Sequence, residues 1–298
     1  MRKVFKDEKL QTEFDKNGFV VLTIFNQQQL DFLQSLTKEE VQNVNAPNTG
    51  THKHDYKLSF YDSNTDYKNF LFDAITANIF PAFEDVLDNY EPLIINYFNK
   101  RQDQGEVPIH QNWTFVDEQN FTSVSVWFPL IPTSRANGTL EVVPGTHKVT
   151  GLYRGAKTPF SFDKLREVLK QKYFQPFELQ PGQVAILDDS LIHYSSPNKL
   201  DVQRKAFQII AKPKEAQALY FHQDVYQPEG ELEVFKVNKN FFLNFNMNER
   251  PNGVPSLGKV PFKVHFYNEE EFLDMIARRD EIMASEAFKS LRCIPETA

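Results

Sequence analysis

A series of short strand-like segments beyond residue 90 is the feature that most restricts the fold of this chain. These segments are rich in β-branched, aromatic and leucine residues, and turn signals such as Asn137-Gly138 and Pro181-Gly182 lie between them. The segments are Leu93–Phe98, Val124–Leu130, Leu140–Val143, Val184–Leu187 and Ala206–Ile210. Many short strands separated by turns are typical of a β-sandwich or barrel. We therefore predict a β core.

Helical patterns flank this predicted core. Apolar residues recur at helical spacing before residue 90, and Asn268 followed by three glutamates is typical of a helix start. The predicted flanking segments are helices at 8–16, 27–38 and 67–90 (the last broken at Pro81), a strand at 19–25, a polar loop at 44–56 and a closing helix at Asn268–Arg292. The predicted class is mainly β with flanking helices (α+β).

Length and composition fit a single globular domain. The chain has 298 residues, which is enough to bury a sizeable core, and it contains neither an internal repeat nor a clear linker. We predict one domain over residues 1–298. It would comprise a helical N-terminal part (1–90), a β core (about 91–215) and a tail on the substrate side that ends in a helix (216–298).

Charge and cysteine content exclude several function classes. The formal net charge is −7 and no basic run occurs, so nucleic-acid binding is not expected. Cys293 is the only cysteine, which excludes an internal disulfide and disfavours a cysteine-based zinc site. The N-terminus lacks the apolar segment of a signal peptide, and the longest early apolar run, Phe19–Phe25, is too short to span a bilayer. We therefore expect no membrane partner and a cytoplasmic location.

Two of the seven histidines stand in a context suited to metal binding. His110 is followed by Gln111 and Asn112 ahead of strand-like sequence, and His193 follows a predicted strand of the core. Non-haem Fe(II) sites use two imidazoles and one carboxylate on one face of the metal, and residues i and i+2 at a strand end project to the same side. Arg204 follows His193 by eleven residues and is suited to bind a carboxylate as a bidentate pair.

These residues belong to a longer pattern that resembles the phytanoyl-CoA dioxygenase family of 2-oxoglutarate oxygenases. The resemblance covers roughly residues 12–215. The motifs that carry it are Asn17-Gly18-Phe19-Val20-Val21-Leu22, His110-Gln111 before Trp113, Asn137-Gly138-Thr139-Leu140, Val143-Pro144-Gly145-Thr146-His147-Lys148, Pro181-Gly182, and His193-x-Ser195 with Pro197-Asn198 and Arg204.

The resemblance implies a double-stranded β-helix core (jelly roll, cupin-like). It also implies an oxygenase that uses Fe(II), 2-oxoglutarate and O2 to hydroxylate an unactivated C–H bond of a small-molecule substrate. His110 and His193 would hold the iron. The implied contacts to 2-oxoglutarate are Arg204, Ser195, Trp127, Asn96 and Lys57.

The chain departs from the family pattern at the third metal ligand. The family places Asp two residues after the first histidine, where this chain has Asn112. An amide oxygen can bind a hard cation but lacks the negative charge of a carboxylate, so iron affinity is expected to fall. Four interpretations remain open: a working enzyme with Asn112 as ligand, an impaired or purely binding relative, an engineered Asp-to-Asn variant, and a halogenase. Asn fills the space that halogenases leave with Gly or Ala, which disfavours the last.

Two other sets of residues could supply a metal ligand or a metal site. Asp117 or Glu118 could replace the missing carboxylate, but both are predicted to lie past the strand end. A second H-x-D pattern occurs at His222 and Asp224, with His265 further on, and it is interpreted as a surface or tail pair.

The other histidines and two aromatic residues are given structural roles. His147 is predicted to close a tight turn beside the site. His52 and His54 lie in the predicted polar loop. Trp113 and Phe115 are predicted to belong to the core and not to contact the substrate.

Overall fold

The computed structural model describes residues 1–37, 56–150, 153–247, 249–279 and 281. The strands are β1 (Phe19–Thr23), β2 (Lys57–Leu58), β3 (Tyr90–Lys100), β4 (Val107–His110), β5 (Val124–Pro129), β6 (Leu140–Val142), β7 (Gln175–Pro176), β8 (Gln183–Asp188), β9 (His193–Ser195), β10 (Arg204–Pro213), β11 (Leu219–His222), β12 (Glu229–Lys236) and β13 (Ser256–Lys263). The helices are α1 (Glu8–Asn17), α2 (Gln27–Ser35), α3 (Thr65–Asn78), α4 (Arg166–Lys172), α5 (Lys239–Leu243) and α6 (Glu269–Ala277). The prediction of a mainly β protein with flanking helices is confirmed.

The first two helices begin or end at capping residues. Asp7 accepts two backbone hydrogen bonds at the start of α1, and Gly18 ends that helix with a φ of 82°. Asn26 and Gln29 form a capping box at the start of α2. Both helices and the strand between them are confirmed, although α2 is shorter than predicted.

The helical stretch predicted at 67–90 is wrong in its second half. Helix α3 ends at Asn78, and a 3₁₀ turn that contains Pro81 follows at Phe80–Phe83. Proline has no backbone N–H with which to continue an α-helix. Strand β3 then begins at Tyr90.

The closing helix begins where the sequence predicts. Asn268 and Glu271 form a capping box at the start of α6. Most of the predicted helix beyond Ala277 lies outside the described residues, as does the predicted polar loop before Tyr56. None of the described helices is long and apolar enough to cross a membrane.

Two antiparallel sheets form the centre of the fold. The six-stranded sheet has the order β1-β8-β5-β10-β3-β2, and the four-stranded sheet has the order β4-β9-β6-β7. Successive strands from β3 to β10 alternate between the two sheets, except for the short β7. The five strand-like segments predicted beyond residue 90 are confirmed as β3, β5, β6, β8 and β10.

The two faces of the six-stranded sheet pack against different surroundings. In β10, Phe207 and Ile209 belong to the main apolar cluster, which includes the buried side chains of α1, α2 and α3. The intervening Gln208 and Ile210 line a cavity between the two sheets. This difference follows from the alternation of side chains along a strand. The cavity therefore lies on the sheet face away from the helices.

The tail contributes a third sheet that supports the cavity wall. Its order is β11-β12-β13. The ring of Trp113, which lines the cavity, lies 5.7 Å from Tyr220 and 5.1 Å from Phe245 between centroids. Residues of the tail thus hold one aromatic wall of the cavity in place.

Gly138 is a position where the fold requires glycine. Its φ is 74°, and a Cβ atom there would lie 2.4 Å from the carbonyl oxygen of Ser196. Gly253 has a similar φ of 72°, but nothing lies within 4 Å of the position that its Cβ would take. A side chain at Gly253 would therefore add backbone strain alone, whereas a side chain at Gly138 would add both backbone strain and steric overlap.

We expect Gly138→Ala to lower the free energy of unfolding by about 3 kcal/mol, of which about 1 kcal/mol is left-handed strain and about 2 kcal/mol steric overlap. The matched control, Gly253→Ala, has the strain alone and is expected to cost about 1 kcal/mol. Chemical denaturation of the parent and both variants measures the difference. Equal costs for the two variants would contradict the steric argument.

Candidate active site

Two histidine side chains meet between the sheets. His110 in β4 lies directly opposite His193 in β9, and their ring centroids are 4.2 Å apart. The Nδ1 atom of His110 lies 2.7 Å from the carbonyl oxygen of Pro108, and that of His193 lies 2.8 Å from the carbonyl oxygen of Leu191. Each Nδ1 is therefore assigned the hydrogen, which leaves a free lone pair on each Nε2. Metal-binding imidazoles have this arrangement.

Both histidines are neutral at pH 7. Burial lowers the pKa of His110. Burial, together with the charge that His110 would carry, lowers the pKa of His193 well below its ordinary value. A histidine must be neutral to bind a metal, so the fold already holds both rings in the required form.

Asn112 lines the same cavity as His110 and uses its amide nitrogen in two hydrogen bonds. Its Nδ2 donates to Asp189 Oδ1 at 2.8 Å and to Ser125 Oγ at 2.9 Å. Burial lowers the pKa of His110, and a side-chain hydrogen bond with Asn112 acts in the opposite direction. Neither bond from Asn112 Nδ2 uses Asn112 Oδ1, so this oxygen is available as a ligand for a cation.

The described residues contain no group of three or more His, Cys, Asp or Glu side chains that could hold a metal. The described cavity lining next to His110 and His193 contains the Asn112 amide but no carboxylate. Two neutral imidazoles and an amide oxygen fit a divalent cation by donor type, but they supply none of the negative charge of the usual triad.

Asp189 is a buried carboxyl group next to Asn112. Ser125 Oγ donates to its Oδ1 at 2.7 Å. Burial raises the pKa of Asp189 to about 7, against the lowering effect of hydrogen bonds from Ser125, Ser123 and Asn112. Its neighbour Asp188 differs. Burial raises the pKa of Asp188 too, but Lys148, 3.4 Å away, and the hydrogen bonds that Asp188 accepts outweigh this and leave its pKa below the ordinary value.

Arg204 is a buried guanidinium group with unused hydrogen-bond donors. It is 1% exposed, its Nη2 lies 3.3 Å from Ser195 Oγ, and its Nε and Nη1 are buried without a partner among the described residues. Burial lowers the pKa of Arg204 to about 10, so the group is charged at pH 7. Arg204 lines the cavity. A buried cation with free donors is suited to a bidentate carboxylate ligand.

Lys100 and Ser195 hold the position of Arg204. Lys100 Nζ donates to Ser195 Oγ at 2.8 Å and to the carbonyl oxygens of Ser195 and Ser196 at 3.0 and 2.7 Å. Ser195 Oγ in turn donates to the carbonyl oxygen of Gly138 at 2.7 Å. The hydroxyl has only one hydrogen, so none is left for a carboxylate. Ser195 is placed to orient Arg204, which differs from the direct contact predicted for it.

Of the other residues predicted to contact 2-oxoglutarate, two line the cavity and one does not. Trp127 and Asn96 line the cavity, and the Trp127 ring lies 6.0 Å from the Arg204 guanidinium. Lys57 does not line it, whereas its neighbours Tyr56 and Leu58 do. Successive side chains of a strand point to opposite faces, so Lys57 in β2 points away. The prediction that Lys57 contacts the cosubstrate is wrong.

Trp113 and Phe115 do more than fill the core. Phe115 is buried in an aromatic cluster with Trp113 packed against it, as predicted, but both side chains also line the cavity. Their place in the core is confirmed. The cavity wall and this part of the core are formed by the same aromatic side chains.

The alternative histidine pair does not come together. His222 lies opposite Glu233 in β12, which lies opposite Lys259 in β13. His265 comes six residues after Lys259, beyond the end of β13, whereas His222 lies level with the middle of β12, so the two histidines are well separated along the sheet. His222 Nε2 instead bonds to the exposed Asp224 at 2.9 Å. This arrangement fits the structural interpretation of the second H-x-D pattern.

Neither Asp117 nor Glu118 is placed to replace the missing carboxylate. Glu118 forms a buried ion pair with Arg154. Asp117 accepts from the backbone N–H of Gln119 at 3.1 Å and from Asn120 at 2.7 Å. Both carboxylates are thus engaged by other residues, and both lie outside the cavity lining.

Sequence reasoning missed four polar residues of this site: Lys100, Ser125, Asp189 and Gln208. Ser125 and Gln208 lie on confirmed strands, where alternation could have assigned them to the cavity face. Asp189 directly follows the apolar strand β8, and an acidic pair at that position was a visible signal. Lys100 ends β3 with a buried ammonium group, which no sequence pattern marked.

His147 closes a turn, as predicted, and Lys148 next to it has a φ of 60°. His147 is buried, and its Nε2 bonds to the carbonyl oxygen of Asp15 at 3.1 Å. Burial is the main cause that lowers its pKa to about 4, while Asp188 acts in the opposite direction. His147 is therefore neutral in the folded protein at pH 7.

This pKa predicts a pH-dependent contribution to stability. Between pH 6.5 and 4 the unfolded chain binds a proton at His147 that the folded chain does not, so lowering the pH destabilises the fold. The contribution reaches about 3 kcal/mol. We expect His147→Gln, which keeps an N–H donor for Asp15, to be less stable than the parent at pH 8 and to close or reverse this gap at pH 4.5. A gap that is constant over this range in denaturant unfolding would contradict the assignment.

The two alternating antiparallel sheets and the cavity between them define a cupin-like β protein of the kind used by 2-oxoglutarate-dependent oxygenases. The model of the family described as "Phytanoyl-CoA dioxygenase (PhyH)" matches residues 14–206, which is most of the chain. This protein belongs to the phytanoyl-CoA dioxygenase family, whose members are Fe(II)- and 2-oxoglutarate-dependent oxygenases, and the resemblance seen in the sequence is confirmed.

Individual relatives agree with this assignment. A phytanoyl-CoA dioxygenase domain-containing protein 1 homolog of Dictyostelium discoideum is 32% identical over 122 residues, which cover 38% of this chain and 43% of that protein. Phytanoyl-CoA dioxygenase 1 of Oryza sativa subsp. japonica is 29% identical over 149 residues, which cover 48% and 51%. The matched region thus spans about half or less of these relatives.

One solved structure is similar in fold. It is the epimerase SnoN, in complex with Fe3+, alpha ketoglutarate and nogalamycin RO. The match has a TM-score of 0.50 and 15% identity and covers 71% of this chain and 85% of SnoN. At this identity the likeness concerns the fold alone.

Proposed function

We propose that this protein is a Fe(II)- and 2-oxoglutarate-dependent oxygenase that hydroxylates an unactivated C–H bond of a small molecule. The observation that carries the proposal is Arg204, a buried guanidinium with two unused donors in the same cavity as His110 and His193. Family membership supports it. We further propose that residues 1–298 act as one domain whose core is a double-stranded β-helix, which the alternation of strands between two sheets supports.

The metal would be held by His110, His193 and Asn112. Both imidazoles are neutral and have their Nδ1 atoms occupied by carbonyl oxygens, so their Nε2 atoms are available. Asn112 has its amide nitrogen occupied by Asp189, so its oxygen is available. When bound, Fe(II) with 2-oxoglutarate supplies the oxidising chemistry that consumes O2. Asn112 also fills the position that a halide would need, which disfavours halogenation.

Arg204 would bind the distal carboxylate of 2-oxoglutarate. Ser195 and Lys100 hold the guanidinium in one orientation, so little conformational freedom is lost on binding. Trp127 lies beside the guanidinium and shields it from water. In a site without water, the attraction between the two charges is stronger than it would be at the surface.

The substrate we propose is uncharged and largely apolar. The cavity of about 170 Å³ would hold 2-oxoglutarate as well as part of the substrate, and aromatic side chains such as Phe60 and Trp113 line it. Among the described residues its lining has no Asp, Glu or Lys, and its one permanently charged group is Arg204. Asn96 Oδ1 is buried without a partner. Since 2-oxoglutarate has no hydrogen to donate, we assign this acceptor to a hydroxyl or N–H of the substrate.

Three probes with one ring system and different charges test this substrate class. Indole, indole-3-acetate and tryptamine would be compared by ligand-observed NMR with 2-oxoglutarate and Mn(II) present. We expect indole to bind at least about tenfold more tightly than either charged probe, because the cavity offers no further counter-ion. Tighter binding of indole-3-acetate or tryptamine would contradict the assignment.

Anaerobic titration tests the oxygenase proposal itself. Adding Fe(II) and 2-oxoglutarate together to the protein should produce a visible metal-to-ligand charge-transfer band that neither produces alone. Exposure to O2 should then convert 2-oxoglutarate to succinate and CO2. Absence of the band at millimolar ligand would overturn the proposal.

A second candidate is a binding protein without turnover. Asn112 favours it, because a neutral ligand set binds Fe(II) more weakly than the usual triad. It predicts that 2-oxoglutarate binds and gives the charge-transfer band, but that succinate does not accumulate above the level of uncoupled oxidation. Succinate production separates the two candidates.

A further inference from the structure

We propose that Asp189 supplies, from one hydrogen bond away, the negative charge that Asn112 lacks, and that it holds the Asn112 carbonyl oxygen toward the metal. Asp189 is thus a positioning residue. It does not bind the metal itself but hydrogen-bonds to Asn112, the residue at the position where the family has its carboxylate ligand. The inference rests on the metal site of the proposed function.

Hydrogen-bond directions in the cavity wall lead to this conclusion. Ser125 donates its one hydrogen to Asp189 Oδ1 at 2.7 Å, and its oxygen accepts from Asn112 Nδ2 at 2.9 Å and from Gln208 Nε2 at 3.0 Å. Gln208 Oε1 then accepts from Asn96 Nδ2 at 2.9 Å. Through this chain of hydrogen bonds, Asp189 sets the orientation of the side-chain amides of Asn112, Gln208 and Asn96.

The orientation of Asn112 is the important result. Its two amide hydrogens go to Asp189 Oδ1 and Ser125 Oγ, so its oxygen takes part in neither bond and is available to a metal. A flipped amide would place oxygen against the carboxylate at 2.8 Å and would lose both hydrogen bonds. Asn112 can therefore act as a carbonyl ligand without any rearrangement of its neighbours.

The surroundings of Asp189 also favour a negative charge that acts on the metal without binding it directly. The adjacent Asp188 has a cationic partner, Lys148. Asp189 is 1% exposed, and in the described part of the chain the side chains that hydrogen-bond to it are neutral. A buried anion with only neutral partners is stabilised by a cation nearby. A divalent metal at His110, His193 and Asn112 would provide that cation.

This arrangement changes what a single Asn112→Asp substitution can report. The new carboxylate would lie at hydrogen-bond distance from Asp189, and two carboxylates at that distance cannot both ionise freely. The double variant Asn112→Asp/Asp189→Asn avoids this conflict. It keeps one carboxylate in the pair and keeps the hydrogen bond, with donor and acceptor exchanged.

Binding of Co(II) alone, followed by its visible absorption, tests the inference without turnover. We expect D189N to weaken Co(II) binding by about 10- to 100-fold, the range found for residues that support metal ligands. The double variant should recover to within about threefold of the parent or bind more tightly, because a carboxylate as a direct ligand restores the charge. Ser125→Ala keeps the charge and removes one hydrogen bond, so it should lose less than D189N.

Stability and the parent protein provide the controls. Thermal unfolding of the metal-free proteins shows whether D189N is folded, and a misfolding defect at position 189 would not be repaired by a carboxylate at position 112. D189N binding like the parent, or a double variant as weak as D189N, would overturn this inference alone. A parent protein that binds no Co(II) would overturn the proposed metal site and this inference together.

Discussion

Arg204→Ala is expected to abolish binding of 2-oxoglutarate at physiological concentrations. Removing one partner of a buried charge pair costs about 3 to 4 kcal/mol, which corresponds to a loss of affinity of about 10²- to 10³-fold. The loss arises because the distal carboxylate would be buried without a counter-ion: in the described cavity lining no other permanently charged group is present. The charge-transfer band with Fe(II), titrated with 2-oxoglutarate under anaerobic conditions, measures the affinity.

Two variants control this experiment. Lys205→Ala changes the next residue of β10, whose side chain is not part of the cavity lining, and should leave the affinity unchanged. Arg204→Lys keeps a charge but loses the planar pair of donors, so an intermediate affinity is expected. If R204A and K205A bound 2-oxoglutarate equally well, Arg204 would not be the carboxylate partner.

His193→Gln is expected to cause the largest loss of metal affinity. Outer residues of metal sites contribute about 10- to 100-fold to affinity, and a direct ligand should exceed this. The amide of Gln lacks the imidazole lone pair that His193 presents while its Nδ1 is held by Leu191. Fe(II) affinity should therefore fall by more than about 10²-fold, and 2-oxoglutarate turnover should fall to background. Equilibrium metal binding and succinate formation are the two measurements.

The matched control for this variant is His222→Gln. His222 is also a buried strand histidine that bonds to a nearby group, but it belongs to the rival H-x-D pattern. We expect H222Q to bind metal as the parent does. The opposite outcome, with metal lost in H222Q and kept in H193Q, would transfer the metal site to the tail.

Asn112 illustrates the difference between a motif and its surroundings. In the sequence, Asn112 stands where the family has an aspartate, and four interpretations follow from that single difference. In the structure it is one end of a hydrogen bond whose other end is Asp189, 77 positions away. Because the compensating charge is distant in the chain, inspection of the H-x-N motif could not identify it.

Lys57 and Ser195 show a second limit of prediction from a motif. Ser195 contacts Arg204, and Tyr56 and Leu58 on either side of Lys57 line the cavity. The role of each residue depends on which way a strand residue points and on where its hydroxyl hydrogen goes. Both depend on partners from other strands.

The sequence by itself indicated the first strand, five strands of the core, the start of α6, the family, and His110 and His193 as candidate metal ligands. These features depend on local patterns, namely runs of strand-forming residues, a capping residue and short motifs. The tertiary structure alone decided the unpaired donors of Arg204, the lysine that holds Ser195 and the carboxylate behind Asn112. Those features depend on burial and on hydrogen bonds between β3, β5, β8 and β10, because folding brings distant side chains into a space from which water is excluded.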